Sequence, residues 1–290
     1  MTMQSAETSR EWLLEGRNLV AGYGDLAAVR NVSITLGRGE IVALLGPNGA
    51  GKTTTLMTLA GMLPSLGGEV LWLGQPARGS LHRRARAGLA VVPEGRSVLK
   101  GMSVRDNLLL GRGGVDRAIE LFPALKPLLK RQAGLLSGGE QQMLTLSRCL
   151  ASRPAAMLID ELSLGLAPVI VDRLSAALRQ AVDQDGIGVL LVEQQARRAL
   201  NTADRWYLMR QGSIVSSGDS QSARHDFETA YLFGGPGGEL SRSRTWRALS
   251  SRTRSIYAAG LRQRSPVEGG RVQRMRSSTT GCRATHARGC

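Results

Sequence analysis

Short apolar runs separated by turn residues fill the first hundred positions of the chain. Residues 13–20 and 29–36 read as two strands. Residues 40–45 form a short continuous apolar run, as a strand buried on both faces requires. That run ends in a glycine-rich turn, and residues 53–62 continue with helical spacing. Residues 68–73 and 89–92 are further short strands. Between 103 and 150 the period becomes mostly helical, with breaks at 111–114, Pro123 and Pro127. A buried strand returns at 155–159, followed by a helix at 169–182, a strand at 187–192 and a helix at 195–202. Residues 206–209 and 213–216 read as a hairpin around Gln211-Gly212. Strands alternating with helices predict an α/β fold whose mostly parallel sheet is covered on both faces. The helical block, about residues 96–152, reads as an insertion into that pattern, and there is no internal repeat. The folded domain is expected to span residues 12–235.

Three segments carry chemistry. Gly46, Pro47, Asn48, Gly49, Ala50, Gly51, Lys52 and Thr53, followed by Thr54, fit the phosphate-binding pattern G-x-x-x-x-G-K-[ST]. They lie between a strand and a helix, the context in which backbone N–H groups and a helix N-terminus converge on phosphate oxygens. Lys52 is expected to reach the β and γ phosphates of ATP, and Thr53 to ligate Mg²⁺. Met157-Leu158-Ile159-Asp160-Glu161 is an apolar strand ending in two carboxylates. Asp160 suits Mg²⁺, and Glu161 can orient or deprotonate an attacking water. Leu136-Ser137-Gly138-Gly139-Glu140-Gln141-Gln142 opens a helix, so Ser137 and the glycine N–H groups can face an anion.

That third segment resembles the signature motif of ABC ATPases, and the resemblance covers roughly residues 13–235. It implies a P-loop NTPase of ABC type: an α/β core with an antiparallel β-subdomain and an inserted helical subdomain. It further implies that Ser137, Gly138, Gly139 and Glu140 contact ATP held by the opposite subunit. Tyr23 lies where the family carries an adenine-stacking aromatic. Glu94 sits where most members have a glutamine that links nucleotide to the membrane partner, and it joins Thr53 and Asp160 as a candidate around Mg²⁺. Gln194 sits where most members have a switch histidine and is a candidate catalytic residue with Glu161. Within the family, the motifs at 92–96, 137–142, 163–168 and 191–194 resemble one of the two ATPases of branched-chain amino acid importers. The expected partners are a second ABC ATPase subunit, two transmembrane permease subunits and, indirectly, a substrate-binding protein. The expected place is the cytoplasmic face of the inner membrane. The chain departs from the family at Leu162, which replaces a proline and is expected to loosen the loop carrying Glu161. The insertion is also short between 111 and 120. A urea importer ATPase, a soluble ABC ATPase acting on ribosomes or DNA, and a nearly inactive regulatory half remain alternatives.

Composition changes this picture only at the end of the chain. Of the net charge of +15, residues 236–290 supply +10, from 12 arginines and two acidic residues, leaving +5 for the rest. The high isoelectric point therefore describes the tail. Its Arg, Ser, Gly and Thr cannot bury enough surface to offset ordering entropy, so disorder is expected there. Arginine without lysine points to an unselected extension rather than a nucleic-acid or lipid arm. Cys282, His286 and Cys290 lack a fourth ligand, which argues against a metal cluster. No apolar stretch reaches 18 residues and no signal-peptide pattern opens the chain, so any membrane role is expected to run through a partner.

Overall fold

The computed structural model describes residues 12–219, apart from 25 and 96. The tail over 236–290 and the segment 230–232 lie outside the described residues. The chain begins with two long antiparallel strands, β1 (Trp12–Tyr23) and β2 (Leu26–Gly37). A short buried strand, β3 (Ile41–Leu45), leads through the glycine turn into α1 (Lys52–Ala60). Next come β4 (Gly67–Trp72), β5 (Gln75–Pro76), α2 (Leu81–Arg86) and β6 (Leu89–Val92). Three helices follow: α3 (Val104–Leu109), α4 (Val115–Leu121) and α5 (Gly138–Ala151). Strand β7 (Ala156–Asp160), α6 (Pro168–Asp185), β8 (Gly188–Glu193), α7 (Ala196–Thr202), β9 (Arg205–Arg210) and β10 (Ser213–Asp219) complete the described fold.

These strands form two sheets. The first has the order β2-β1-β4-β5 and is antiparallel. The second has the order β10-β9-β3-β8-β7-β6, parallel throughout except for the β9–β10 hairpin. Strands β3, β7 and β8 are buried at every residue. Their side chains alternate between two cores. Ile41, Ala43, Leu45, Met157, Ile159, Val189 and Leu191 join the helices α3 to α7 on one face. Val42, Leu44, Leu158, Leu190 and Val192 meet α1 and the antiparallel sheet on the other. An apolar run without alternation is what such a doubly covered strand demands. The hairpin turn has Gln211 at φ 46° and Gly212 at φ 82°, the pair of left-handed residues that a two-residue connection prefers.

Two elements were not anticipated from the sequence: β5 and α2. Helix α2 reads Leu-His-Arg-Arg-Ala-Arg and buries only Arg84, so it has no apolar stripe to recognise. The helical region between β6 and β7 is more broken than a simple periodic block. Pro123 and Pro127 lie in a 3₁₀ turn, Pro123–Leu128, rather than in an α-helix. Among the described residues no helix is long and apolar enough to cross a membrane.

Candidate nucleotide site

The glycine turn leaves the C-terminal end of β3 and reaches α1 under tight steric control. A side chain at Gly46 would place its Cβ 2.3 Å from the Met209 carbonyl oxygen. Gly51 takes φ 101° and caps α1, and a Cβ there would lie 2.9 Å from the Ala28 carbonyl oxygen. Only glycine lets the turn run this close to β2 and β9 while keeping its N–H groups on the outer side. The turn is tied further by Ala50 N–H to the Pro47 carbonyl at 3.2 Å and Gly212 N–H to the Ala50 carbonyl at 2.9 Å. Lys52 is buried, and its Nζ donates to the carbonyls of Gly46 at 3.0 Å and Pro47 at 3.2 Å. It therefore lies folded over the mouth of the turn.

A cleft of about 460 Å³ opens beside this turn. Asn48, Gly49, Gly51, Lys52, Thr53 and Thr54 line one side, and Glu94, Glu161 and Gln194 face them. Four strand ends thus converge on one space: β3 through the turn, β6 through Glu94, β7 through Glu161 and β8 through Gln194. This is the carboxyl edge of a parallel sheet, where open α/β folds place their ligands. Ala28 and Leu164 also line the cleft. Ala28 carries no signal in the sequence, being a small apolar residue in a strand, and Leu164 stands out only as part of the 163–168 motif.

Asp160 lies just beneath. It is buried, and its Oδ1 has no hydrogen-bond partner. Burial pushes its pKa up, a hydrogen bond from the Thr53 side chain opposes that, Glu161 and Glu94 push it further up, and Lys52 pulls it down. A buried, unpartnered carboxylate oxygen beside a threonine hydroxyl is a hard-oxygen donor set of the kind Mg²⁺ takes. Among the described residues no group of three or more His, Cys, Asp or Glu side chains is gathered for a metal. An ion here would complete its shell with phosphate oxygens and water, the usual habit of Mg²⁺.

Glu161 follows with φ 49°, a left-handed conformation uncommon for a residue with a side chain. The loop after it is fastened to β8. Glu161 N–H donates to the Val192 carbonyl at 2.9 Å, and Ser163 donates to Glu193 through both N–H at 3.0 Å and Oγ at 2.9 Å. Glu193 is buried; burial raises its pKa most, and the bonds from Ser163 and from the Gln194 backbone oppose that rise. Leu162 is 2 % exposed and packs in the helix-side core. The loosening expected from the missing proline is therefore not what the structure shows. Core burial and three hydrogen bonds hold this loop.

The remaining predicted residues lie apart from the cleft. Ser137 caps α5 by accepting from Glu140 N–H at 3.3 Å, while its own N–H donates to Glu140 Oε2 at 2.7 Å. Neither Ser137, Gly138, Gly139 nor Glu140 lines the cleft, and the Glu140 carboxylate is occupied by its own helix. Tyr23 ends β1, is 57 % exposed, and its hydroxyl meets Met57 Sδ on α1 at 3.7 Å. It does not line the cleft either.

Comparison with known proteins places this geometry. A family model described as ABC transporter matches residues 29–163. The chain is 41% identical over 224 residues to the high-affinity branched-chain amino acid transport ATP-binding protein BraG of Pseudomonas aeruginosa, covering 73% of this chain and 96% of that protein. It is 34% identical over 217 residues to the lipopolysaccharide export system ATP-binding protein LptB of Escherichia coli K12, covering 71% and 90%. Among solved structures, it resembles a nucleotide-free ATP-binding cassette from an ABC transporter, with a TM-score of 0.65 and 26% identity over 72% of this chain and 91% of that one.

Proposed function

Because the chain belongs to the ATP-binding subunits of ABC transporters and hydrolyses ATP, we propose that it powers an importer of branched-chain amino acids. Two things support that cargo: the 41% identity to the branched-chain relative over nearly its whole length, and the motifs at 92–96, 163–168 and 191–194. Likeness to the lipopolysaccharide-export relative is lower, at 34%.

The observation that carries the mechanism is the convergence of Lys52, Thr53, Asp160, Glu161 and Gln194 at one sheet edge. In our reading the N–H groups of the glycine turn and the α1 N-terminus hold the β and γ phosphates. Lys52 Nζ exchanges its two carbonyl acceptors for phosphate oxygens, which carry more charge. Thr53 and Asp160 would hold Mg²⁺, which would supply neutralising charge beside the phosphate oxygens. A Glu161 carboxylate oxygen accepts a hydrogen bond from the attacking water and takes its proton. Gln194 donates an amide hydrogen toward the γ-phosphate, a neutral contact where a histidine would offer a cation.

Ser137 to Glu140 do not line the cleft. That separation supports a composite site, in which the same motif of a second cassette covers the nucleotide. Gln194 supports a heterodimer whose partner cassette carries histidine. Closure and opening of the pair would pass to two permease subunits through the loop at Glu94, placing the chain peripherally at the cytoplasmic membrane face. ATP favours the closed state through contacts that only that state makes.

The test is capture of the full chain from detergent-solubilised native membranes, followed by reconstitution of the captured complex in vesicles. ATP-dependent uptake of labelled leucine, isoleucine or valine is expected, with two polytopic subunits and a second cassette present. Recovery of ribosomal or DNA-bound proteins without membrane subunits would overturn the reading. Uptake of urea without leucine would overturn the cargo alone.

A further inference from the structure

We propose that Ser163 and Glu193 are a positioning pair that sets Glu161 and Gln194 against each other across the nucleotide cleft. The proposal rests on the reading above, in which Glu161 and Gln194 act on ATP.

The pair joins two strand ends that the chain separates by 30 residues. On one side, β7 ends at Asp160 and Glu161 adopts φ 49°. Left-handed backbone at a residue with a side chain is strained and persists only where its surroundings fix it. On the other side, β8 ends at Glu193, and Gln194 emerges exposed into the cleft. The Glu193 carboxylate takes two donors from Ser163. Ser163 N–H reaches Oε1 at 3.0 Å and Ser163 Oγ reaches Oε2 at 2.9 Å. The residue that directly precedes Gln194 is therefore bonded to the loop two residues beyond Glu161. The Glu161 N–H to Val192 carbonyl bond runs parallel to it.

Burial makes this arrangement specific. Ser163 is 5 % and Glu193 is 4 % exposed, and neither lines the cleft. A carboxylate at that depth is costly without donors, and an apolar pair of the same volume would serve packing equally well. What the polar pair adds is direction. A carboxylate with two fixed donors on one residue admits a single placement of loop against strand, whereas apolar contact tolerates sliding. The residue two positions before Ser163 and the one after Glu193 both face the cleft, so a small shift between the strand ends moves both reacting groups. A misplacement of about 1 Å can cost about 10²-fold in rate.

The experiment measures steady-state ATP hydrolysis and equilibrium nucleotide binding on the full chain in its membrane complex. Glu193→Leu removes every acceptor and should lower kcat about 10-fold or more while nucleotide affinity stays within about threefold. Glu193→Gln still accepts from Ser163 N–H and can donate to its Oγ, and Ser163→Thr keeps the hydroxyl. Both should restore kcat to within about threefold of the parent. Ser163→Ala deletes one hydroxyl, folds with the least risk, and should lower kcat in the same direction. Added to Glu161→Gln, Glu193→Leu should cost less than it does in the parent, because one of the two residues it positions is already gone. An unchanged kcat in both Ser163→Ala and Glu193→Leu would overturn the proposal. So would an equal loss in the Glu161→Gln background, since that places the effect on another route. If Glu161→Gln alone turns over like the parent, the site assignment itself fails, and the pair has nothing to position.

Discussion

Arg84 offers a prediction whose size can be worked from the structure. It is the buried residue of α2, and its guanidinium reaches the far end of α1. Nη1 donates to the Thr58 carbonyl at 3.1 Å and to the Leu59 carbonyl, and Nη2 donates to the Ala77 carbonyl at 2.8 Å. A cation at a helix C-terminus meets the negative end of the helix dipole, so α1 compensates a charge that has no carboxylate there. Arg84→Met keeps most of the apolar stem and removes the donors. All three carbonyls lose the guanidinium, but Thr58 retains Gly61 N–H at 3.1 Å, so the cost falls on the other two. At about 1–3 kcal/mol for each, with part returned because no charge is buried, the loss is about 3 kcal/mol. For a domain of this size that corresponds to a fall in Tm of about 6–12 °C. Arg84→Lys should recover little, because an ammonium lacks the planar fork that spans separate acceptors. Nucleotide affinity should change less than about threefold, since the latch lies at the end of α1 opposite the glycine turn, about 13 Å away. Differential scanning calorimetry of the full chain provides the assay. A Tm shift under about 2 °C, or a gain in stability, would refute the view that Arg84 anchors the nucleotide-binding helix.

Three further outcomes follow from the same geometry. Gly46→Ala drives a Cβ against the Met209 carbonyl at 2.3 Å and should weaken ATP binding by about 10-fold or more, read by titration; unchanged affinity would mean the turn can shift freely. Because the Asp160 pKa is raised above its ordinary 3.8, mainly by burial, protons should compete with Mg²⁺ as pH falls toward that raised value. MgATP affinity should then drop faster than Mg-free ATP affinity, and Asp160→Asn should abolish the difference; parallel curves would remove Asp160 from the metal. Glu193 also has a raised pKa, so the native state holds its proton at higher pH than the unfolded chain does. Stability from this group should be fullest below the ordinary glutamate value of 4.5 and be lost as pH rises through the raised one. Glu193→Gln should flatten that part of the stability profile, and denaturant melts across pH would show whether it does.

Some of this architecture was readable from residue order alone. Strands β3, β7 and β8 are buried at every position, so their unbroken apolar runs stand out in the sequence. Lys52 and Thr53 were legible because phosphate chemistry fixes their spacing within a single turn. Features that depend on distant partners were not. Helix α2 carries no apolar stripe, because its one buried side chain is a guanidinium serving another helix. Ser163 and Glu193 are separated by 30 positions, and neither residue type signals a pair by itself. Leu162 suggested a loosened loop, since backbone stiffness can be judged from sequence and core burial cannot. Tyr23 is a candidate through resemblance alone, since an exposed aromatic at a strand end carries no chemistry of its own.

The central claim is that one cleft binds ATP through Lys52 and hydrolyses it through Glu161, so that the two functions can be separated. The most direct measurement compares equilibrium MgATP binding and phosphate release for the parent chain, Lys52→Ala and Glu161→Gln. Lys52→Ala should bind weakly and release no phosphate above background. Glu161→Gln should bind like the parent and hydrolyse at least about 100-fold more slowly. Phosphate release by Glu161→Gln at the parent rate would contradict the account.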